Sequence, residues 1–376
     1  MSTTPRALAI DWRVPTPQRD GGSARTIALL RALHSFGYAV TLATDFPDSY
    51  EPHTATLPED TAALQAHGIA VAAGPALDHL QAVGAGCDLV LLCGGVQIAD
   101  KYLADVRRYA PGALVVYDTV DLHFLRQLRQ AKATGNIRAL RRAIIYKQHE
   151  LAAMHAVDRT LVVSPAELAL LREEGDPPRV HLVTDAHQLR ADPPPFAGRC
   201  DLLFVGTFHF NPNVDAMLHY LDAIHPLVRA ALPDARIFII GTEPTEELLA
   251  RAADDVVITG FVPDLAPFFD RCRLSIAPLR IGAGVKGKVL QSLGQGLPVV
   301  ASPVAAEGLH LVDGEDALIA ADPAAFAAAI VRLHEDEALW TRLSANGRSV
   351  IARHFSFETI REQLAAALGD AARIPG

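Results

Sequence analysis

The sequence predicts an α/β protein made of two Rossmann-like halves, each built around a parallel sheet. Short apolar runs with the length of buried strands alternate with segments of helical periodicity, which is the pattern of βαβ units. The pattern begins a second time after the proline-rich stretch 191–196. Because ligands of such sheets bind beyond the carboxyl ends of the strands, the residues after each strand are the ones to examine for function.

The predicted elements follow this order along the chain. The first half has a helix over 26–36 and strands over 7–10, 39–43, 89–93 and 114–117. The second half has strands over 202–205, 236–240, 256–258, 274–277 and 298–301. We therefore predict an N-terminal domain over 1–190, a linker over 191–198, a C-terminal domain over 199–352, and a final helix within 353–376 that packs back on the N-terminal domain.

Composition and charge limit the class of protein. The chain has 376 residues, 50% of them hydrophobic, and a net charge of -9, which disfavours general binding to nucleic acid. Four cysteines without C-x-x-C spacing indicate neither a zinc site nor a disulfide framework, and no apolar run is long enough to span a membrane; they are Cys87, Cys93, Cys200 and Cys272. We expect a cytoplasmic enzyme.

A glycine-containing segment follows the first predicted strand. It places Gly21, Gly22, Ser23 and Arg25 at the start of a helix, where free amide groups can meet an anion or a sugar. A tight turn that needs glycine only for its backbone explains the segment equally well. A nicotinamide dehydrogenase also stays open, because Asp45 lies about twenty residues beyond the glycines, as a ribose-binding acid would.

The segment 274–301 of the second half is more informative. It predicts a strand, a glycine-rich turn, a helix that begins near Val285, and a further strand. Gly282 and Gly284 allow close approach of the backbone, and Lys286 and Lys288 add positive charge to a helix N-terminus, which together suit a phosphate group. The alternative is a pair of solvated lysines on an exposed turn.

These motifs carry a resemblance to a known family. The segments are 118–126, 204–213, 239–244, 260–264 and 282–309, the last with Gly-Leu-Pro-Val-Val-Ala-Ser at 296–302. They resemble the retaining glycosyltransferases of family four, in a bacterial branch associated with surface polysaccharides. The resemblance implies the GT-B fold, in which two Rossmann-like domains face a central cleft, and transfer of a sugar from a nucleotide diphosphate sugar to a glycan or a lipid-linked acceptor.

The resemblance also implies a donor site in the second half. The loop after Gly206 would face the diphosphate with Thr207, His209 and Asn213, where the family often has Arg and Lys. Lys286 and Lys288 therefore become the candidates that neutralise the diphosphate. The paired glutamates of the family fall at Ala283 and Gln291. Gln291 can bond ribose hydroxyls through its amide, and Ala283 offers only its backbone. Glu307 can accept bonds from sugar hydroxyls, or it is simply an acid at a helix start.

Polar residues after the strand at 114–117 are the candidates on the acceptor side. They are Asp118, Asp121 and His123, and the helix start with Gly21, Gly22, Ser23 and Arg25 is a further candidate on this side. The family commonly has a histidine near this strand end, which implies a catalytic role for His123 and Asp121 beside Lys288. A histidine that satisfies a helix start is the plain alternative. The sequence carries no D-x-D motif after a strand, so we expect no metal and no cofactor beyond the nucleotide sugar.

A basic segment stands out in this acidic chain. Arg and Lys residues over 126–147 are interspersed with leucine and isoleucine, which is typical of contact with anionic lipid or of an ordinary amphipathic helix with a solvated face. Two further functions also stay open. A binding protein that has lost catalysis would fit Ala283 and Gln291, and a nucleotide-sugar epimerase shares the two-half architecture.

Overall fold

The chain folds into two compact units in a computed structural model, which describes residues 4–16, 21–45, 57–209 and 211–372. The first unit comprises Met1–Ala186 with Phe357–Gly376, and the second comprises His187–Ser356. The first boundary lies earlier than residue 190 because the following residues bond within the second unit. The amide of His187 donates to the carbonyl of Phe355 (2.7 Å), and the amide of Arg190 donates to that of Gly294 (3.0 Å).

A parallel sheet of seven strands forms the centre of the first unit, in the order β3-β2-β1-β4-β5-β6-β7. Its strands are β1 (Arg6–Asp11), β2 (Ala39–Thr44), β3 (Ala70–Pro75), β4 (Leu89–Leu92), β5 (Leu114–Asp118), β6 (Arg159–Val162) and β7 (Val180–Leu182). Its helices are α1 (Gly21–Ser35), α2 (Leu57–Ala66), α3 (Ala76–Val83), α4 (Val96–Tyr109), α5 (His123–Thr134), α6 (Ile137–Ala156) and α7 (Pro165–Glu173).

The final helix, α16 (Phe357–Leu368), belongs to this first unit. Its Ile360 and Leu364 are buried in the same apolar cluster as Leu29 and Leu33 of α1. The Tyr38 hydroxyl donates to the carbonyl of Ala371 (2.7 Å), just after α16. The end of the chain is therefore fixed by core packing as well as by hydrogen bonds.

The second unit has a parallel sheet of six strands, in the order β10-β9-β8-β11-β12-β13. Its strands are β8 (Asp201–Val205), β9 (Ile237–Ile240), β10 (Val256–Gly260), β11 (Cys272–Ala277), β12 (Val299–Ala301) and β13 (Leu318–Ile319). Its helices are α8 (Asn211–His219), α9 (His225–Ala231), α10 (Glu246–Leu249), α11 (Ala266–Arg271), α12 (Gly287–Gly294), α13 (Pro303–Ala306), α14 (Pro323–Glu335) and α15 (Glu337–His354).

The predicted α/β class with two Rossmann-like units is confirmed. All strands predicted from apolar runs are present, because most of their residues are buried on both faces, as parallel strands under helices must be. Four strands are missing from the prediction. One of them, β6, lies inside the sheet with three of its four residues buried, and the other three carry weaker patterns. Both β3 and β7 lie at sheet edges with partly exposed residues, and β13 has only two residues.

The order of strands reverses at the centre of each sheet. In the first unit the chain starts at β1 and returns to β4 on its other side, and in the second it starts at β8 and returns to β11. Crevices beyond the carboxyl ends of such central strands bind ligands in α/β proteins. In the part of the chain that the structure describes, no helix combines the length and the apolar composition needed to cross a membrane.

Candidate functional site

The loops after β8 and β9 press against each other at the carboxyl edge of the second sheet. The amide of Gly206 donates to the carbonyl of Ile240 (2.9 Å), and the Thr207 and Thr242 hydroxyls are 2.7 Å apart. A Cβ on Gly241 would lie only 1.7 Å from the carbonyl oxygen of Gly206, so only glycine fits there. Sequence reasoning missed Gly241, although a glycine directly after a buried strand was the available signal.

Lys288, in the first turn of α12, reaches this same edge. Its ammonium group lies 4.6 Å from the centre of the buried Phe204 ring and donates a hydrogen bond to the side-chain oxygen of Asn213. Asn213 donates in turn to the carbonyl of Thr207 (2.6 Å). A Cβ on Gly206 would lie 3.1 Å from the Lys288 nitrogen. The structure therefore brings together four of the predicted donor residues.

The electrostatics of Lys288 are unusual for a lysine. Burial, with a smaller contribution from the positive charge of Lys286, lowers the pKa of Lys288 to about 7. Near neutral pH its amino group is therefore close to half protonated. An anion placed beside this nitrogen would favour the charged form, which makes the position suited to a diphosphate.

Lys286 precedes α12 instead of lying inside it. The predicted start near Val285 was wrong, because the helix begins at Gly287 and Lys286 keeps a non-helical backbone (φ -90, ψ 82). The buried Lys286 side chain turns back to the glycine-rich loop, where its ammonium donates to the carbonyl of Gly284 (2.8 Å). It also lies 3.8 Å from a carboxylate oxygen of Glu307, so Glu307 is placed beside a cation at this loop.

The remaining predicted donor residues lie around this centre in different settings. His209 is exposed, with its Nδ1 3.4 Å from a carboxylate oxygen of Glu243. Gln291 is half-buried one turn beyond Lys288. In the glycine-rich loop, Gly282 is buried, Ala283 and Val285 are half-buried, and Gly284 has a φ of +63, which favours glycine.

His187 is an unpredicted neighbour of the α12 N-terminus. Its Cε1 lies 3.6 Å from the place that a Cβ on Gly287 would occupy. Burial lowers the pKa of His187 to about 4, so its ring is neutral at physiological pH. It therefore adds no positive charge beside Lys286 and Lys288. No residue pattern around 187 singled it out in the sequence.

A second polar cluster surrounds His123 in the first unit. His123 begins α5, and the buried carboxylate of Glu150 accepts hydrogen bonds from the amides of His123 and Phe124 (2.9 Å each). The Nδ1 of His123 lies 3.6 Å from Asp121 and 3.5 Å from Glu150, while Asp121 also pairs with Arg126. The carboxylates thus fix the start of the helix and surround the imidazole with negative charge.

Backbone geometry supports this placement of His123. A Cβ on Gly95, which follows β4, would lie 2.5 Å from the His123 Cε1, so the imidazole packs on bare backbone. Val120, just before the cluster, has a φ of +62, an uncommon conformation for a β-branched residue. Strain of this kind persists only where the surrounding structure holds it, and it is common at functional sites. Sequence reasoning found His123 and Asp121 but missed Gly95 and Glu150.

Two of the predicted acceptor-side residues have a different role. The Arg25 guanidinium donates to both carboxylate oxygens of Asp118 (2.9 and 3.0 Å from its Nε), and both side chains are essentially inaccessible to solvent. Arg25 also bonds the carbonyl of Val183 and the carboxylate of Asp185. Because these bonds occupy the charges inside the core, Arg25 and Asp118 cannot face an acceptor, and the prediction for them was wrong.

The residues of the glycine segment at the start of α1 also differ in their exposure to solvent. Ser23 is buried, whereas Gly21 is exposed and a Cβ there would meet nothing within 4 Å. Gly22, half-buried between them, is the second residue of the helix. The N-terminus of α1 at Gly21 and Gly22 is therefore open to solvent.

Asp45 bears on the dehydrogenase alternative. Its carboxylate, only 5% exposed, accepts hydrogen bonds from the Tyr102 hydroxyl and the Lys101 ammonium (2.5 Å each). A ribose-binding acid must present free oxygens to the ligand, and these oxygens are already bonded. This geometry disfavours a nicotinamide site at Asp45. Among the described residues, His, Cys, Asp and Glu form no group of three or more that is arranged to hold a metal ion.

Two Rossmann-like units with polar loops at the carboxyl ends of their central strands are the features of the GT-B fold. Residues 199–336, which make up most of the second unit, match the family described as Glycosyl transferases group 1. Over these residues the second unit is similar to this family.

Solved structures share the whole fold at low sequence identity. Sucrose-phosphate synthase from Thermosynechococcus elongatus has a TM-score of 0.71 at 18% identity over 96% of this chain and 98% of its own. Anabaena Alr3699/HepE in complex with UDP and glucose has a TM-score of 0.70 at 15% identity, over 96% and 99%. WaaG, a glycosyltransferase involved in lipopolysaccharide biosynthesis, has a TM-score of 0.65 at 14% identity, over 96% and 100%.

A curated relative is similar over part of the sequence. It is an uncharacterised 44.6 kDa protein in the cps region of Klebsiella pneumoniae, 26% identical over 170 residues. The match covers 43% of this chain and 44% of that protein. The chain therefore spans less than half the length of this relative.

Proposed function

We propose that the chain is a glycosyltransferase of family four. It moves a sugar from a nucleotide diphosphate sugar to a glycan or a lipid-linked acceptor, with retention of anomeric configuration. The observation that carries the proposal is the half-buried Lys288, whose ammonium group is bonded to Asn213 beside Gly206 at the carboxyl edge of the second sheet. A cation held in this way at a topological switch point suits a diphosphate.

The proposed donor site stabilises the negative charge that develops on the diphosphate during the reaction. As the bond between the anomeric carbon and the diphosphate oxygen breaks, that oxygen gains negative charge. The acceptor hydroxyl oxygen forms its bond to the same carbon, and its proton passes to the departing diphosphate. Lys288, Lys286 and the amides at the start of α12 stabilise this charge more in the transition state than in the ground state. In this proposal Thr207, His209 and Asn213 line the diphosphate loop, and residues 282–285 approach the sugar through their backbone.

Two further side chains have proposed roles in donor binding. Gln291 bonds ribose hydroxyls through its amide. Glu307, held near Lys286, accepts bonds from sugar or ribose hydroxyls and limits the positive charge of the site when it is empty. We propose that the nucleotide sugar is the co-substrate and that the reaction uses no metal or other cofactor.

On the acceptor side, His123 is the proposed catalytic residue and Asp121 its partner. The carboxylates of Asp121 and Glu150 lie 3.6 and 3.5 Å from the Nδ1 of the imidazole. The open helix start at Gly21 and Gly22 is the proposed contact for acceptor hydroxyls.

The proposed biological role is synthesis of a bacterial surface polysaccharide or glycoconjugate on the cytoplasmic side of the membrane. The relative in a cps region and the likeness to WaaG support this role. Peripheral contact with the inner membrane through residues 126–147 accompanies the proposal, because that segment concentrates Arg and Lys in an acidic chain.

A binding protein without catalysis is the second candidate, since Ala283 and Gln291 stand where the family has glutamates. The test incubates purified protein with a panel of nucleotide sugars, with and without bacterial lipid extract as acceptor. Transfer that depends on acceptor, with the donor's anomeric configuration in the product by NMR, supports the proposal. Nucleotide binding without turnover supports the binding protein, and donor converted without acceptor indicates an epimerase.

A further inference from the structure

The exposed face of α6 carries a row of apolar side chains that neither candidate site uses. Large aliphatic residues are exposed at Ile137 (69%), Leu140 (42%), Ile144 (54%) and Ile145 (54%). The first three follow helical i, i+3, i+7 spacing, so they form one stripe along the helix. Ala139 and Ala143, on the opposite side, are the residues that bury this part of α6.

Arginines lie beside this stripe. Arg138, Arg141 and Arg142 are exposed, and within the described ranges their guanidinium groups make no hydrogen bond or ion pair with another side chain. The sequence has no Asp or Glu between His123 and His149, although the chain as a whole has a net charge of -9. This face therefore combines exposed apolar surface with uncompensated positive charge, against the sign of the rest of the protein.

We propose that α6 binds an anionic lipid bilayer through one face, called here the docking face. This face comprises four apolar residues and three arginines: Ile137, Leu140, Ile144, Ile145, Arg138, Arg141 and Arg142. The aliphatic stripe enters the boundary between headgroups and acyl chains, and the arginines bind the lipid phosphates, as interfacial amphipathic helices do. A second copy of the chain fits this face poorly. A symmetric contact would place the arginines of one copy near the same arginines of the other, and their positive charges would repel. The inference rests on the peripheral membrane contact in the proposed function and names the residues that make it.

The first test measures sedimentation with vesicles of phosphatidylglycerol and phosphatidylcholine, and with vesicles of phosphatidylcholine alone. We expect the protein to partition onto the anionic vesicles, with less binding as salt rises. Combined Arg138→Glu, Arg141→Glu and Arg142→Glu should weaken partition more than tenfold, and so should combined Ile137→Ser, Leu140→Ser and Ile144→Ser. Two control variants on other surfaces should bind like wild type. The charge control combines Arg108→Glu, Arg172→Glu and Arg332→Glu, and the apolar control combines Leu227→Ser and Leu249→Ser.

The second test asks whether the stripe enters the lipid. Tryptophan emission of Ile144→Trp should shift to shorter wavelength on anionic vesicles, whereas that of Leu227→Trp should not. Absence of wild-type partition onto anionic vesicles, or partition that survives arginine reversal, would overturn the proposal. Loss of self-association in these variants, without loss of vesicle binding, would point to a second copy and also overturn it. UDP affinity is measured in parallel and should be unchanged in all these variants. Failure of the membrane proposal is therefore distinguishable from failure of the proposed donor site.

Discussion

The Lys288 ammonium donates a hydrogen bond to the side-chain oxygen of Asn213, and this bond joins the first turn of α12 to the first turn of α8. Asn213 fixes the loop by donating to the Thr207 carbonyl (2.6 Å), and the Phe204 ring lies against the same ammonium group. One half-buried cation thus contacts two helix starts and a strand end at the edge where the sheet reverses its order. Predictions about nucleotide binding start from this contact.

Removing the charge of Lys288 should weaken nucleotide binding. In Lys288→Met the diphosphate loses a charge-assisted hydrogen bond, which is worth about 1.5–3 kcal/mol, so the Kd for UDP should rise roughly 10- to 100-fold. Titration calorimetry measures the change. The matched control is Lys101→Met, an exposed lysine in the first unit, which should leave the Kd unaltered. Equal Kd values for Lys288→Met and wild type would remove Lys288 from the donor site.

UDP binding should depend on pH through the same residue. Because the pKa of Lys288 is about 7 without ligand and rises beside a diphosphate, binding takes up a proton above pH 7 and weakens as the pH increases toward 9. The phosphate itself, with a second pKa of about 6, is fully ionised across this range. Calorimetry in buffers of different ionisation heat measures the uptake. Lys288→Met should show none, and uptake that persists in this variant would contradict the assignment.

Gly241→Ala should disrupt the donor loops. The added Cβ would lie 1.7 Å from the Gly206 carbonyl oxygen, so the loop after β8 must move away from its observed position. We expect UDP affinity to fall at least tenfold, together with a lower melting temperature. Gly112→Ala, where a Cβ meets nothing within 4 Å, is the control and should change neither. Wild-type affinity in Gly241→Ala would show that this loop contact is irrelevant to binding.

Breaking the Arg25–Asp118 pair should destabilise the first unit. Arg25→Met leaves a buried carboxylate without its main partner, which typically costs 3–5 kcal/mol, while Arg25→Met with Asp118→Leu should recover part of that loss. Urea unfolding measures both. Arg361→Met, which breaks an exposed pair with Glu358 in the same unit, should cost less than about 1 kcal/mol. If Arg25→Met is no less stable than Arg361→Met, the structural role given to Arg25 is refuted.

His123→Ala should reduce turnover more than donor binding. The imidazole is proposed to contact reacting groups, whereas the diphosphate is bound by groups of the second unit, so kcat should fall about 100-fold or more with little change in the Kd for UDP. His149→Ala, an exposed histidine 52% accessible, is the control. Unchanged kcat in His123→Ala would leave His123 with only the role of beginning α5.

The sequence predicted more of the fold than of the sites. Buried strands are recognisable in the sequence as short apolar runs. The glycine-rich turn before Lys288 is recognisable in the same way, while its role in donor binding stays a prediction. The acceptor-side prediction for Arg25 and Asp118 was wrong because sequence alone does not show what a charged side chain contacts. The local pattern is the same whether the partner is a ligand or a residue 93 positions away. The contact of Glu150 with His123 likewise depends on a distant segment, so no local pattern encodes it. A glycine directly after a buried strand was a local signal for Gly241, but its contact with Gly206 was not readable from it.

A crystal structure with UDP bound tests the central claim most directly. We expect the diphosphate at the carboxyl edge of the second sheet, with phosphate oxygens about 3 Å from the Lys288 nitrogen and from backbone amides at the start of α12. Phosphates bound away from Lys288, with its ammonium still directed only at Asn213, would contradict the claim.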